Sequence, residues 1–109
     1  MPKKGSDQVW LLVMFDLPVK TVTQRRSATS FRKHLLKLGF FMTQLSVYVK
    51  YLPATGRSVS LVKSIKQALP TGGVVQILSI TDKQWSKSIR FIQKTEVKTE
   101  EAPTQLAIF

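Results

Sequence analysis

The sequence predicts an α+β domain with the element order β-α-β-β-α-β and a further short strand towards the C-terminus. Three observations carry this. Residues 9–15 (VWLLVMF) are apolar on both alternating faces, as in a strand covered on both sides. The stretches after Thr21 and after Ser58 place apolar residues at helical spacing. Residues 40–52 alternate with a period of two.

Each element has its own signals. Asp16, Leu17 and Pro18 end the first strand. Thr21 and Gln24 then have capping-box spacing, and Ala28, Phe31, Leu35 and Leu38 form the inward stripe of a first helix that Gly39 stops. In the alternating run, Phe41, Leu45, Val47, Val49 and Tyr51 share one face, with Thr43 as its polar member. Met42, Gln44, Ser46, Tyr48 and Lys50 share the other. The run is long for one strand of a small domain, so a bend, bulge or split is expected at residues 44–46. Ser58 caps a second helix with Val59, Val62, Ile65 and Leu69 inward, ended by Pro70. A strand follows over residues 74–80. Thr81 and Gln84 repeat the capping-box spacing in a short helical turn, and residues 89–92 read as a last short strand.

The 109 residues suffice for one domain with one core. The organisation read is a loose basic N-terminus over 1–8, the domain over 9–93, and a linker with an apolar tail over 94–109. In that tail Leu106, Ile108 and Phe109 follow a polar spacer, which suggests docking on a partner or a strand added to another sheet. Crossover helices of one hand fall on one face of the sheet. The first strand is apolar on both, so a second copy is expected to cover the bare face, making a homodimer.

Charge sets the function class. The net charge is +11, and between Asp16 and Asp82 there is no acidic residue against ten Lys and Arg, from Lys20 to Lys66. A solvated surface normally mixes both signs, so a one-signed one points to a polyanion, nucleic acid first. Arg25, Arg26, Arg32, Lys33 and Lys37 share one helix surface with no acid among them, and Lys3, Lys4, Lys50 and Arg57 assist. Nothing in the pattern reads bases, so binding to backbone phosphates is expected. The absence of cysteine excludes thiol nucleophiles, disulfides and cysteine-held metals. His34, the single histidine, reads as a packed helix residue. No apolar run approaches the roughly 20 residues of a spanning helix, and residues 9–15 lack a signal-peptide cleavage site. The expectation is therefore a cytoplasmic protein with no membrane partner.

Asp16, at a strand end, suits either a turn cap or a metal ligand. One carboxylate makes a poor magnesium site, and a two-fold dimer supplies a second Asp16. Asp82 reads as structural, near a helix N-terminus.

Three segments together resemble a known family. They are VMFDLP at residues 13–18, FRKHLLKLGFFMTQLSVYVKYL at 31–52, and LSITDKQW at 78–85. They are similar to the strand-ending aspartate motif, the helix-glycine-strand segment and the fourth strand of the small CRISPR-associated adaptation subunit. This is the second of the two proteins shared by spacer-acquisition systems, also described as a CRISPR-associated endoribonuclease. The likeness is to members that accompany single-effector systems, and it spans residues 9–92. It implies a ferredoxin-like fold, a sheet-to-sheet homodimer, and a C-terminal strand that often completes the partner's sheet. It implies that Asp16 is the catalytic and metal-linked aspartate, with Mg2+ as cofactor. It further implies a place between two dimers of the integrase partner, spanning a duplex DNA prespacer, with Mg-dependent endonuclease activity on single-stranded RNA or DNA. Leu17, Pro18 and Val19 follow Asp16 where the family pattern often has polar or charged groups. The alternative from composition is a general basic RNA-binding α+β protein without enzymatic activity.

Overall fold

Antiparallel pairing around β1 (Val9–Asp16) organises the molecule. The computed structural model describes residues 8–54, 56 and 58–103. After β1 come α1 (Val22–Lys37), β2 (Phe41–Gln44), β3 (Val47–Leu52), α2 (Ser58–Gln67), β4 (Val74–Thr81), α3 (Asp82–Ser86), β5 (Arg90–Ile92) and β6 (Thr95–Val97). The main sheet has the order β2-β3-β1-β4, every neighbouring pair antiparallel. With helices crossing from β1 to β2 and from β3 to β4, this is the expected ferredoxin-like arrangement.

The strand parity of β1 divides the core. Val9, Leu11, Val13 and Phe15 face the helices and pack with Phe31, Leu35, Ile65, Tyr48 and Leu52. Each fully buried Leu, Ile or Phe here stabilises the fold by roughly 1.5–3 kcal/mol. The α1 capping box forms as read: Thr21 accepts from the Gln24 amide at 3.0 Å, and Gln24 Oε1 accepts from the Thr21 amide at 3.0 Å. Gly39, just beyond the helix, has φ +95°, the left-handed value glycine supplies without strain.

The second helix turns a different face inward. Ile65 is buried, but Leu61 and Ala68 pack with it, while Val59 is 74% exposed and Val62 and Leu69 are also exposed. Leu61, Ile65 and Ala68 follow i, i+4, i+7 spacing and the stripe read from the sequence i, i+3, i+6, i+10; both are built of helical three- and four-residue steps, so periodicity alone does not choose between them. His34 Nε2 and Ser64 Oγ, 3.2 Å apart, couple α1 to α2 on the flank that this rotation leaves beside α1.

The alternating run splits where a break was expected, at Leu45 and Ser46, with Ser46 at φ +63°. A register shift between Met42 and Gln44 also changes the faces. Phe41 lies opposite Val49 and Gln44 opposite Val47, so Gln44 joins the face assigned to the apolar set. Leu45 leaves that face and stands 83% exposed in the turn.

The other face of the sheet carries Trp10, Leu12 and Met14 with Val47, Val49, Tyr51, Leu78 and Ile80. A second copy was expected to cover it, yet the chain covers one end itself. Trp85 of α3 stacks on Trp10 with ring centroids 4.7 Å apart, and Trp10 Nε1 donates to Asp82 Oδ1 at 2.8 Å. Leu12 and Met14 remain half-buried, and Val74 and Leu78 are exposed.

The segment read as one strand and a linker is more ordered than that. β5 and β6 form a separate hairpin through Gln93 (φ +50°) and Lys94 (φ +68°). Two-residue turns with both central residues at positive φ favour Asn-Gly, and neither residue here is of that kind. Beyond it, Glu100 is tied back: its carbonyl accepts from Trp85 Nε1 at 2.8 Å, and its carboxylate receives both Arg90 Nη atoms, at 2.9 and 3.2 Å. Leu106, Ile108 and Phe109 lie outside the described residues. No helix among the described residues is long and apolar enough to cross a membrane.

Candidate nucleic-acid and metal site

Asp16 is the last residue of β1 and is exposed. Its parity matches Trp10, Leu12 and Met14, so it belongs to the open face of the sheet, opposite Val74 of β4. Gly73 permits a close approach there. A Cβ at Gly73 would lie 2.5 Å from the Asp16 carbonyl oxygen and 3.1 Å from Leu17 Cα, and φ is +78°. Gly72 and Gly73 stand together just before β4 in the sequence, but only the folded pairing shows which backbone they admit. Among the described residues no three His, Asp or Glu side chains gather into a metal-holding group.

The buried stripe of α1 (Ala28, Phe31, Leu35) fixes where its cations point. Arg26, Lys33 and Lys37 lie on the opposite side of the helix, away from the sheet and hence from its open face. Arg26, Ser30, Lys33 and Lys37 follow i, i+4, i+7, i+11 spacing, a stripe about 16 Å long. Arg25, Arg26 and Lys33 line one shallow depression with Val22, Thr29 and Ser30. Ser30, not picked out from the sequence, adds a hydroxyl between the cations. The first turn of α1 holds no acid, so its positive dipole end is not neutralised.

The remaining expected contacts differ in their surroundings. Arg32 is half-buried on a flank of α1. Arg25 donates through Nη1 to Val19 O at 3.0 Å and Lys20 O at 3.1 Å, so part of its guanidinium is engaged by the loop before its own helix. Lys50 is half-buried on the helix-facing side of β3. A Cβ at Gly39 would meet its Nζ, which places the ammonium at the C-terminal end of α1, where the dipole favours a cation. That position is apart from the outer stripe. Lys3, Lys4 and Arg57 lie outside the described residues.

Charge is segregated. Asp82, Glu96, Glu100 and Glu101 line a single groove beside α3 and the hairpin, leaving both long helices free of acids. Burial alone would raise the Glu100 carboxyl, but the Arg90 hydrogen bonds and charge hold it below the usual glutamate value. Its contribution to stability is thus present above the ordinary glutamate range and is lost as pH falls. The Tyr51 phenol is pushed up, first by burial and then by the nearby Asp82 charge. Tyr48 is buried and stacks on Phe15, and Tyr51 packs against Trp10, so neither tyrosine is a free platform for bases.

Comparison with known proteins agrees with this architecture. The family model for CRISPR associated protein Cas2 matches residues 9–88. A CRISPR-associated endoribonuclease Cas2 from Paracidovorax avenae is 42% identical over 105 residues, covering 96% of this chain and 97% of that protein. One from Flavobacterium psychrophilum is 38% identical over 101 residues, covering 93% and 88%. A solved structure described as the crystal structure of cas2 aligns with a TM-score of 0.56 over 85% of this chain and 98% of the other. At 20% identity that likeness speaks for the fold alone. The family match over most of the chain, the relatives' identity along nearly its whole length and the shared fold agree, and the chain belongs to the CRISPR associated protein Cas2 family, as a CRISPR adaptation protein.

Proposed function

We propose that two copies join through their open sheet faces to form the nucleic-acid-binding core of a spacer-integration complex. In it the dimer lies between two dimers of the integrase partner and spans a duplex DNA prespacer. Paired Asp16 side chains hold Mg2+ for endonucleolytic cleavage of single-stranded RNA or DNA. The observation that carries this reading is the open face itself. Beyond the reach of Trp85 it carries Leu12, Met14, Val47, Val74 and Leu78 with Gln76 as a polar member, it bears Asp16, and joining two such faces is an arrangement that can bring two Asp16 carboxylates together.

Other features support it. The relatives' printed description is an endoribonuclease. Isolated two-stranded hairpins are marginal in water, and β5–β6 exposes Ile89, Phe91 and Ile92, so it suits a strand arm laid on a partner's sheet. β4 has an unpaired edge that such an arm could extend. The tail with Leu106, Ile108 and Phe109 would lengthen the same arm. Because the α1 cations face away from the open face, joined sheets carry two cationic surfaces, one on each outer side. Each would meet backbone phosphates of a different segment of the polyanion.

The donor set fits a largely hydrated magnesium ion and not a closed protein cage. Asp16 is one exposed carboxylate, and Mg2+ keeps several waters while taking one or two carboxylates. When bound, the ion would polarise a phosphoryl oxygen and lower the pKa of water. Asp16 would orient the ion from a strand end flanked by the close approach of Gly73 on one side and the short loop to the α1 capping box on the other.

Asp16→Ala tests the reading. Magnesium-dependent cleavage should fall by at least about 10²-fold, the scale of losing a charge-stabilising group. Duplex affinity should change little. Cleavage that persists in this variant would show that Asp16 does not hold the ion. Spacer acquisition that survives while cleavage is lost would assign the protein's main role to architecture. Membership of the family favours this reading over a general RNA-binding protein.

A further inference from the structure

We propose that Arg25 is a positioning residue that sets the loop leading out of Asp16, and is not one of the phosphate contacts of α1. Residues 17–20 are all that separates Asp16 from the helix cap Thr21. This short loop is gripped from two sides. On one, Gly73 lies so close to Asp16 O and Leu17 that no side chain fits. On the other, α1 takes hold of Lys20 by both its backbone groups. Gln24 Oε1 accepts from the Lys20 amide at 2.9 Å, and Arg25 Nη1 donates to the Lys20 carbonyl at 3.1 Å and to the Val19 carbonyl at 3.0 Å.

These bonds separate Arg25 from its neighbours. Among the described residues, the side chains of Arg26, Lys33 and Lys37 make no hydrogen bond or ion pair, so their charges are free for an incoming anion. Arg25 is turned back along the chain, and a planar guanidinium held by two carbonyls has little freedom to follow a phosphate. Its fixed geometry instead limits where the end of β1 can move, and so where the Asp16 carboxylate stands. The link to metal binding rests on the reading of Asp16 above; the link to the loop does not.

The full-length protein with Arg25→Met, Arg26→Met and Gly73→Ala separates the roles. Three quantities are read: the slope of log affinity against log salt for a duplex of arbitrary sequence, amide exchange at Lys20 and Thr21, and Mn2+ affinity from paramagnetic broadening at the Asp16 amide. For Arg25→Met the slope should stay unchanged, exchange should quicken about tenfold, and Mn2+ affinity should fall several-fold. Arg26→Met should flatten the slope by about 0.9 and leave exchange unchanged. Gly73→Ala, which alters no charge, should resemble Arg25→Met in exchange and Mn2+ affinity. A slope lowered by Arg25→Met as much as by Arg26→Met, with exchange unaltered, would overturn the proposal. If Asp16→Ala leaves the Mn2+ broadening intact, the metal reading fails, while the slope and the exchange still decide what Arg25 does.

Discussion

Replacing Trp10 by alanine should lower the unfolding free energy by about 3–5 kcal/mol, the range for truncating a large buried aromatic. Trp10 is 2% exposed and holds three elements at once. It stacks on Trp85 of α3, packs at 5.3 Å against Tyr51 of β3, and donates to Asp82 at the start of α3. Alanine leaves a cavity, removes the surface on which α3 rests and deprives Asp82 of its donor. The effect should extend past α3. Trp85 Nε1 anchors Glu100, and the Arg90 guanidinium lies over the Trp85 ring, 5.8 Å from its centroid, so a loosened Trp85 frees the hairpin and the segment after it. Urea titration followed by far-UV circular dichroism reads the stability. Near-UV dichroism of the stacked indoles should be lost even without denaturant. A variant within about 0.5 kcal/mol of the parent, the range of ordinary surface substitutions, would mean that α3 is not what covers this end of the sheet.

Neutralising the crest of α1 should have the largest effect on binding. Arg26→Gln, Lys33→Gln and Lys37→Gln together remove three cations from one stripe. At about 0.9 per phosphate contact, the slope of log affinity against log salt should flatten by roughly 2.7. The loss should be the same on duplexes of unrelated sequence, because nothing in the stripe is arranged to read base edges. All three residues are exposed, so stability should change little. Fluorescence anisotropy across a salt series reads this directly. An unchanged slope, or a loss confined to one sequence, would remove α1 from the binding surface.

The strands and helices that position these groups were legible because local chemistry fixes them. The doubly apolar β1, both capping boxes and the inward face of α1 follow from residue type and spacing. What remained hidden depends on partners distant in the chain. α2 has two apolar stripes of equal periodicity, and the sheet accepts Leu61 and Ala68 with Ile65 in place of Val59, Val62 and Leu69. A register shift between Met42 and Gln44 leaves Phe41 and Met42 on their expected faces but moves Gln44 to the other one. The β5–β6 hairpin has a turn whose sequence does not announce it. At the site, the isolation of Asp16 and the one-signed surface of α1 were visible in the sequence. The departure of Lys50 from that surface and the turning of Arg25 towards its own loop were not, since both depend on where a carbonyl or a helix end lies in space.

The account turns on what covers the rest of the open face. Val74 is 65% exposed and Leu78 is also exposed on it, so charges can be placed there without disturbing the core. Sedimentation equilibrium of the parent and of the Val74→Lys, Leu78→Lys double variant tests the pairing most directly. The parent should sediment with twice the single-chain mass and the variant with the mass of one chain, both keeping the same far-UV dichroism. A parent that sediments as one chain at working concentration, or a variant that still sediments as two, would contradict pairing through this face.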